Sequence, residues 1–332
     1  LMPQPFGSFV RSALLTLAVI SPVLAAETTP LVGAGRVLFL GDSITHSGRY
    51  IADVETYLRL RYPAFDAEFL SLGLSSETCS GLSEPGHAGG KFPRPDVHER
   101  LARVLEATKP NLVVACYGMN CGIYHPLSDE RFAAYRAGRE KLHQAAVAAG
   151  AKVLHLTPPV FDPHPIRART LPAGKTDYAQ PYVGYNDVLD AYAAWLVSKR
   201  ADGWEVCDVH TPMNRATAAG RAADPNFTLA PDGVHPNDQG HWEMARALLE
   251  HWGVPAGELQ EAATPADAWR RRPQAAELHK LLYQRQQLLH DAWLTKTGHK
   301  RPGVKPGLPL DEAQTKANEL NAKIEALQKA GD

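Results

Sequence analysis

The sequence holds no later apolar run approaching the roughly 20 residues that a helix needs to cross a hydrocarbon core. It also has almost no net charge. Its 35 Lys and Arg against 36 Asp and Glu leave a formal charge of -1, so there is no basic footprint for nucleic acid and no polybasic handle for a membrane surface. Cysteine is scarce, with four residues at spacings that match no zinc site. Internal repeats and low-complexity segments are missing too. These absences exclude nucleic-acid binding and a stable membrane anchor as organising functions, and leave partners to be argued from a site.

What is present suits a globular chain. Of its 332 residues 44% are hydrophobic and 21% charged, enough to bury a full core without a metal or disulfide scaffold. Arg11 leads a short apolar run from Ser12 to Leu24, followed by Ala25 and Ala26. That is the pattern of a cleavable secretory signal. The expected division is a signal over 1–26, a main domain over 27–253 and an appendage over 254–332, with the mature protein periplasmic or extracellular.

From there short apolar runs alternate with amphipathic stretches, the pattern of a parallel sheet wrapped by helices. Strands are predicted at Val37–Leu40, Ala67–Leu72, Leu112–Cys116, Val153–Leu156 and Trp204–Val209. Helices are predicted at Tyr50–Arg61, Pro95–Thr108, Asp129–Ala149, Tyr182–Lys199 and Pro236–His251. Cys116 and Cys207 fall inside strand runs and read as small buried hydrophobes. Past Gly253, Leu278, Leu281, Leu282, Leu288 and Leu289 keep helical spacing, and Ala313, Ala317, Leu320, Ile324 and Leu327 repeat the pattern after Pro309. Between them the Gly- and Pro-rich stretch 298–307 is a loop, so the appendage is a helical hairpin. It is open to packing on the main domain, self-association or docking of a protein partner.

The first strand runs into Gly41-Asp42-Ser43, at the carboxyl end where ligands sit in open α/β sheets. Alone, Asp42 and Ser43 read equally well as turn and cap residues. Near the end of the main domain Asp232-Gly-Val-His235 adds a carboxylate three residues before an imidazole. Such an Asp holds the Nδ1 proton and leaves Nε2 to take a proton from a serine. Two further blocks lie at strand ends, Leu72-Gly73 and Gly118-Met119-Asn120; a glycine amide and an asparagine side chain are both donors for an oxyanion. No Gly-x-Ser-x-Gly elbow is seen.

The four blocks, in this order and spacing over about residues 36 to 252, resemble the SGNH hydrolase superfamily of GDSL-type esterases and lipases. The resemblance implies a flavodoxin-like α/β/α fold with a five-stranded parallel sheet and no cofactor or metal. It implies Ser43 as nucleophile, His235 as base and then acid, and Asp232 as its orienter, with Ser43, Gly73 and Asn120 forming the oxyanion hole. Two positions depart from the family pattern: Cys121 follows Asn120 where Asp is usual, and Leu72 precedes Gly73 where Asn is usual. In that fold Cys79 and Cys121 lie on loops around one pocket, as a disulfide or as two free thiols. The polar, Gly-rich stretch 75–95 follows the Gly73 block and reads either as a solvated loop or as a border of the substrate, with His87, Lys91 and Arg94 as candidate rim residues. Asp162 and His164 have metal-like spacing, but prolines on both sides of His164 disfavour a metal.

Function follows as an expectation: a secreted serine esterase, with an acylated carbohydrate as the leading substrate. A lipase or lysophospholipase is the alternative within the family. A carbohydrate-binding or scaffold protein using the C-terminal hairpin is the alternative outside enzymology.

Overall fold

The computed structural model describes residues 1–2, 29–259, 262, 264–269 and 272–330. The expected signal lies outside the described residues from position 3 onward. In chain order the elements are β1 (Arg36–Gly41), α1 (Ser43–Ser47), α2 (Arg49–Arg61), β2 (Glu68–Ser71), α3 (Leu101–Thr108), β3 (Leu112–Cys116), α4 (Asp129–Ala148), β4 (Lys152–Leu156), α5 (Tyr185–Ser198), β5 (Glu205–Cys207), α6 (His210–Ala223), α7 (Asp238–His251), α8 (Ala256–Leu259), α9 (Pro265–Trp269), α10 (Ala275–Thr297) and α11 (Leu310–Ala330).

All five strands are parallel, in the order β2-β1-β3-β4-β5. The expected flavodoxin-like fold is therefore the observed one. A parallel sheet is covered on both faces, so its central strands are continuous apolar runs. Val37 to Leu40 and Val113 to Ala115 are accordingly all fully buried. On one face α2 and α7 pack side by side. The other carries α3, α4 and α5, with Tyr135 of α4 stacked on Tyr192 of α5 at 4.1 Å. The order in which strands are added reverses between β1 and β3, and connections leaving these two strands part to opposite faces. A crevice opens at their carboxyl ends. Gly41 pairs with Cys116 there, putting the Asp42-Ser43 turn beside the Gly118-Met119-Asn120 block.

Helix limits reflect local chemistry. Ser128 caps α4 by accepting from the Arg131 amide, and Asn237 caps α7 by accepting from Gly240. The single helix expected over Pro95–Thr108 is a 3-10 turn at Val97–Glu99 followed by α3. The two meet at Arg100, whose side chain turns inward to the buried Glu77. Helix α6 has no counterpart in the expected set. Only His210 and Met213 on it are buried, so it carries no apolar stripe.

The C-terminal hairpin forms and lies on the main fold. Leu278, Leu281 and Leu282 of α10 enclose Ile324 of α11, with Leu320, Leu327 and Leu60 around them. Leu259, Trp269, Ala275, Leu289 and Ala317 belong to the same core as the sheet. One ion pair ties the hairpin down: Arg285 of α10 gives both hydrogen bonds from Nη2 to the Glu55 carboxylate of α2 at 2.6 Å and donates from Nη1 to Asn321 of α11. Glu55 is buried and also accepts from Arg59. Removing Arg285 leaves the buried Glu55 carboxylate with Arg59 as its remaining partner, at a cost of up to about 3 kcal/mol. Arg285→Ala is expected to lower the urea midpoint by that amount of stability; a loss within the scatter of surface substitutions would show that this ion pair does not hold the hairpin in place.

Candidate active site

Ser43 is the first residue of α1, which begins directly where β1 stops. Asp42 makes this turn. Its carboxylate accepts from the Ile44 amide at 3.0 Å, and burial pushes its pKa up to about 6 against that hydrogen bond. Gly48 ends α1 in a left-handed conformation, and α2 follows at once.

The second wall is the loop before α7. Asp232 Oδ1 accepts from the amides of Val234 and His235 at 2.9 and 2.7 Å, an Asx turn that leaves Oδ2 free for the His235 side chain. Gly233 sits inside it at φ +87°, where a Cβ would also meet Ile166 at 2.5 Å, so glycine is required. Pro236 follows His235, favouring an extended His235 backbone and separating it from α7. The result is a chain of side chains: Ser43 Oγ lies 2.8 Å from His235 Nε2, and His235 Nδ1 lies 2.7 Å from Asp232 Oδ2. The imidazole and the carboxylate are each about half exposed, at 51% and 52%. They open onto a cavity of about 400 Å³ together with Ser43, Arg49, Asn237 and His241.

The electrostatics agree with the geometry. The hydrogen bond that His235 donates to Asp232 raises the His235 pKa above its ordinary value, against partial burial. Asp232 in turn sits well below the usual carboxylate range; burial would raise it, but the His235 ring and the two amides outweigh that.

Gly73 approaches α1 so closely that a Cβ there would stand 2.3 Å from the His46 nitrogen and 2.6 Å from the Thr45 carbonyl carbon. Its carbonyl lies 3.2 Å from His46 Nδ1 and 2.9 Å from His290 Nε2, the latter on α10. The amides of Leu72 and Leu74 donate to Phe39 and Gly41 of β1. The Gly73 amide lies between these two, just past the end of β2 at Ser71. Preceding it in the same peptide unit, the Leu72 carbonyl accepts from Arg100 Nη2 at 2.7 Å. Arg100 is held by Glu77 through two 2.7 Å bonds, and Tyr117 donates to the same carboxylate at 2.6 Å. Asn120 is buried beside this group. Its Oδ1 accepts from Arg94 at 2.9 Å and Tyr124 at 3.0 Å, and its Nδ2 donates to the Glu77 carbonyl at 3.3 Å with a second hydrogen left over.

Residues 39–243, well over half of the chain, match the model of the GDSL-like lipase/acylhydrolase family. The chain belongs to this family of ester hydrolases. No curated protein matches it. Solved structures similar to it include a catalytic mutant of an acetylxylan esterase from Geobacillus stearothermophilus, at 21% identity and TM-score 0.48 over 67% of this chain and 95% of that one. Another acetyl xylan esterase is 19% identical with TM-score 0.46, over 65% of this chain and 98% of that one. A gut microbial diltiazem-metabolizing enzyme is 20% identical with TM-score 0.47, and this chain covers 66% of itself but only 46% of that one.

Against the four family blocks, the structure brings Ser43, Asp232 and His235 together and sets Gly73 against α1. The rim assignment needs correction. Arg94 is only 7% exposed, and its guanidinium is spent on Glu84, through Nε at 2.7 Å and Nη2 at 2.6 Å, and on Asn120. His87 turns onto Glu84 and the Phe92 ring, while Lys91 stays exposed. None of the three lines the Ser43 cavity. Cys79 and Cys121 do lie together, but as two buried free thiols with sulfurs 3.6 Å apart, beyond the roughly 2 Å of a bond. Of the Asp162 and His164 pair, Asp162 holds Arg221 and Thr228, and His164 meets Arg167. Arg49, His241, Arg100 and His290 were not foreseen. Their partners lie up to 217 residues away, and no local signal marks them.

The pair has a readable pH signature. Because the folded pKa of His235 is raised, its contribution to stability is complete below the ordinary 6.5 and is lost as pH rises through the folded value. Asp232 contributes in the opposite sense, above the ordinary 3.8, with the loss coming as pH falls through its depressed value. NMR titration is expected to place His235 above 6.5 in the wild type and to shift it downward in Asp232→Asn; an unmoved titration would remove Asp232 as the cause.

Proposed function

We propose that this chain is an exported serine esterase that removes short acyl groups, acetyl foremost, from a carbohydrate. The observation that carries the reading is the unbroken hydrogen-bonded order Ser43–His235–Asp232 at 2.8 and 2.7 Å, opening on a cavity of about 400 Å³. Ser43 Oγ attacks the ester carbonyl carbon while His235 Nε2 takes its proton, and Asp232 stabilises the imidazolium that forms. The carbonyl oxygen becomes an anion accepting hydrogen bonds from the Ser43 and Gly73 amides and Asn120 Nδ2. Its collapse breaks the bond to the alcohol oxygen, which leaves with the proton from His235. Water, deprotonated by the same imidazole, then hydrolyses the acyl-enzyme to release acid and restore Ser43.

Two features tune the anion site. Arg100 polarises the 72–73 peptide from its carbonyl side, strengthening its N–H as a donor. Arg94 and Tyr124 hold the Asn120 carbonyl oxygen and so turn Nδ2 inward. Short acyl groups suit a cavity of only about 400 Å³; a long acyl chain calls for a longer apolar wall. The leader-like run at 12–24 is the ground for export.

Ser43→Ala is expected to lower kcat/KM for p-nitrophenyl acetate and for acetylated xylo-oligosaccharides by at least about 10⁴-fold. For the wild type, kcat/KM is expected to fall steeply from acetyl to octanoyl esters, with an acid limb above pH 6.5 because His235 must be neutral to accept the proton. Full activity in purified Ser43→Ala would overturn the nucleophile, and preference for long acyl chains would move the assignment to a lipase.

A further inference from the structure

The Ser43 cavity does not end at the catalytic side chains. Arg49 and His241, which form part of its wall, also line a second and larger cavity of about 640 Å³ between α2, α7, α9 and α10. An ester has two halves. If the acyl half is small and sits at Ser43, the alcohol half must extend along a surface continuous with that cavity, and Arg49 and His241 supply the continuity.

The chemistry of the second cavity is mixed in a characteristic way. Trp269, His279 and Tyr283 form a run of rings: Trp269 and His279 lie 5.5 Å apart and tilted by 32°, and His279 and Tyr283 are parallel within 3° at 6.5 Å. His279 is fixed by a 3.0 Å bond from Nε2 to Asp53, and Trp269 rests edge-on against the buried Trp242. The same lining carries the ion pair of Arg49 with Asp238, both largely exposed. Flat rings take the C–H faces of a sugar, while carboxylates and a guanidinium exchange hydrogen bonds with its hydroxyls. A fatty chain would cover the Arg49–Asp238 pair with groups that offer it no hydrogen bonds, whereas sugar hydroxyls replace the water it loses.

We propose that this second cavity is a subsite for a saccharide unit in the alcohol half of the substrate, built by the C-terminal helices α9 and α10 against α2 and α7. The inference rests on the carbohydrate-ester reading above and gives residues 264–283 a role in substrate choice. It assigns Trp269 and Tyr283 as stacking surfaces and Arg49 and Asp238 as hydroxyl partners.

The test compares wild type with Tyr283→Ala, which removes a partly exposed ring, and Ala276→Trp, which fills the cavity from an exposed position on α10. Neither site is in the core, and a melting temperature near that of the wild type establishes that each variant folds. Steady-state kinetics are measured on p-nitrophenyl acetate, which has no saccharide, and on acetylated xylotetraose. The expected result is a ratio of kcat/KM for the tetrasaccharide to that for p-nitrophenyl acetate at least tenfold below the wild-type ratio in both variants, carried by KM. If the wild type deacetylates xylotetraose and both variants keep its ratio, the subsite is overturned while the carbohydrate-esterase reading stands. If the wild type cleaves p-nitrophenyl acetate but no acetylated saccharide, the substrate reading falls and the subsite with it.

Discussion

The contact between Gly73 and the backbone of α1 constrains everything around Ser43. With no side chain between them, the loop after β2 and the turn after β1 meet at van der Waals distance or closer for any added carbon, which fixes Ser43 relative to the 72–73 peptide. Two imidazoles grip the Gly73 carbonyl, His46 from α1 itself and His290 from α10. Burial and the neighbouring ring of His290 push the His46 pKa down to about 4, so near neutral pH it meets that carbonyl as an uncharged ring. A strand end, a helix start and a residue some 200 positions downstream thus share one small volume. The alignment of a nucleophile with an oxyanion donor depends on tenths of an ångström, and backbone against backbone is the stiffest means a protein has of setting it.

Behind this contact lies a buried polar group that a simple core would avoid. Glu77 and Arg100 are both almost wholly inside, and burying two charges gains little stability over apolar residues of similar size. Their value lies in what they orient. Glu77 anchors Arg100 and Tyr117 through its carboxylate and Asn120 through its backbone carbonyl, and Arg100 grips the Leu72 carbonyl. The replacement of the family's usual Asn by Leu72 therefore leaves the essential group intact, since Arg100 uses the backbone at that position and not the side chain. Although Arg100 Nη1 is left without a partner among the described residues, the network holds its other polar groups in one arrangement, because the alternatives leave further buried donors or acceptors unpaired.

The parts of the fold legible in the sequence are those with local causes. Parallel strands are buried on both faces, so β1 and β3 show as unbroken apolar runs and their limits are readable to within about a residue. Gly41-Asp42-Ser43 and Asp232-Gly-Val-His235 are readable because turn chemistry demands those residue types at those spacings. Helix α6 is not, because its buried face consists of His210 and Met213 and leaves no periodic signal. Arg94 was placed on the rim because its neighbours are polar and rich in glycine. Its partners, Glu84 ten residues before and Asn120 on another strand end, come within reach only when the loop closes over them. The Arg285–Glu55 pair spans 230 residues and illustrates the same limit.

The C-terminal helices change meaning once their contacts are followed inward. As sequence they are an amphipathic hairpin with no necessary tie to catalysis. In the structure α10 donates from Gln286 and Gln287 to the Gly48 and Ser47 carbonyls at the end of α1, reaches Gly73 through His290 and grips α2 through Arg285. The short helix that carries Ser43 has only five residues and cannot be stable by itself. Its C-terminal carbonyls are among the groups that an isolated helix leaves unsatisfied, and α10 satisfies the last of them while also supplying a wall of the larger cavity. The position of Ser43 and the proposed saccharide contact thus depend on one element, so loosening α10 disturbs the two together.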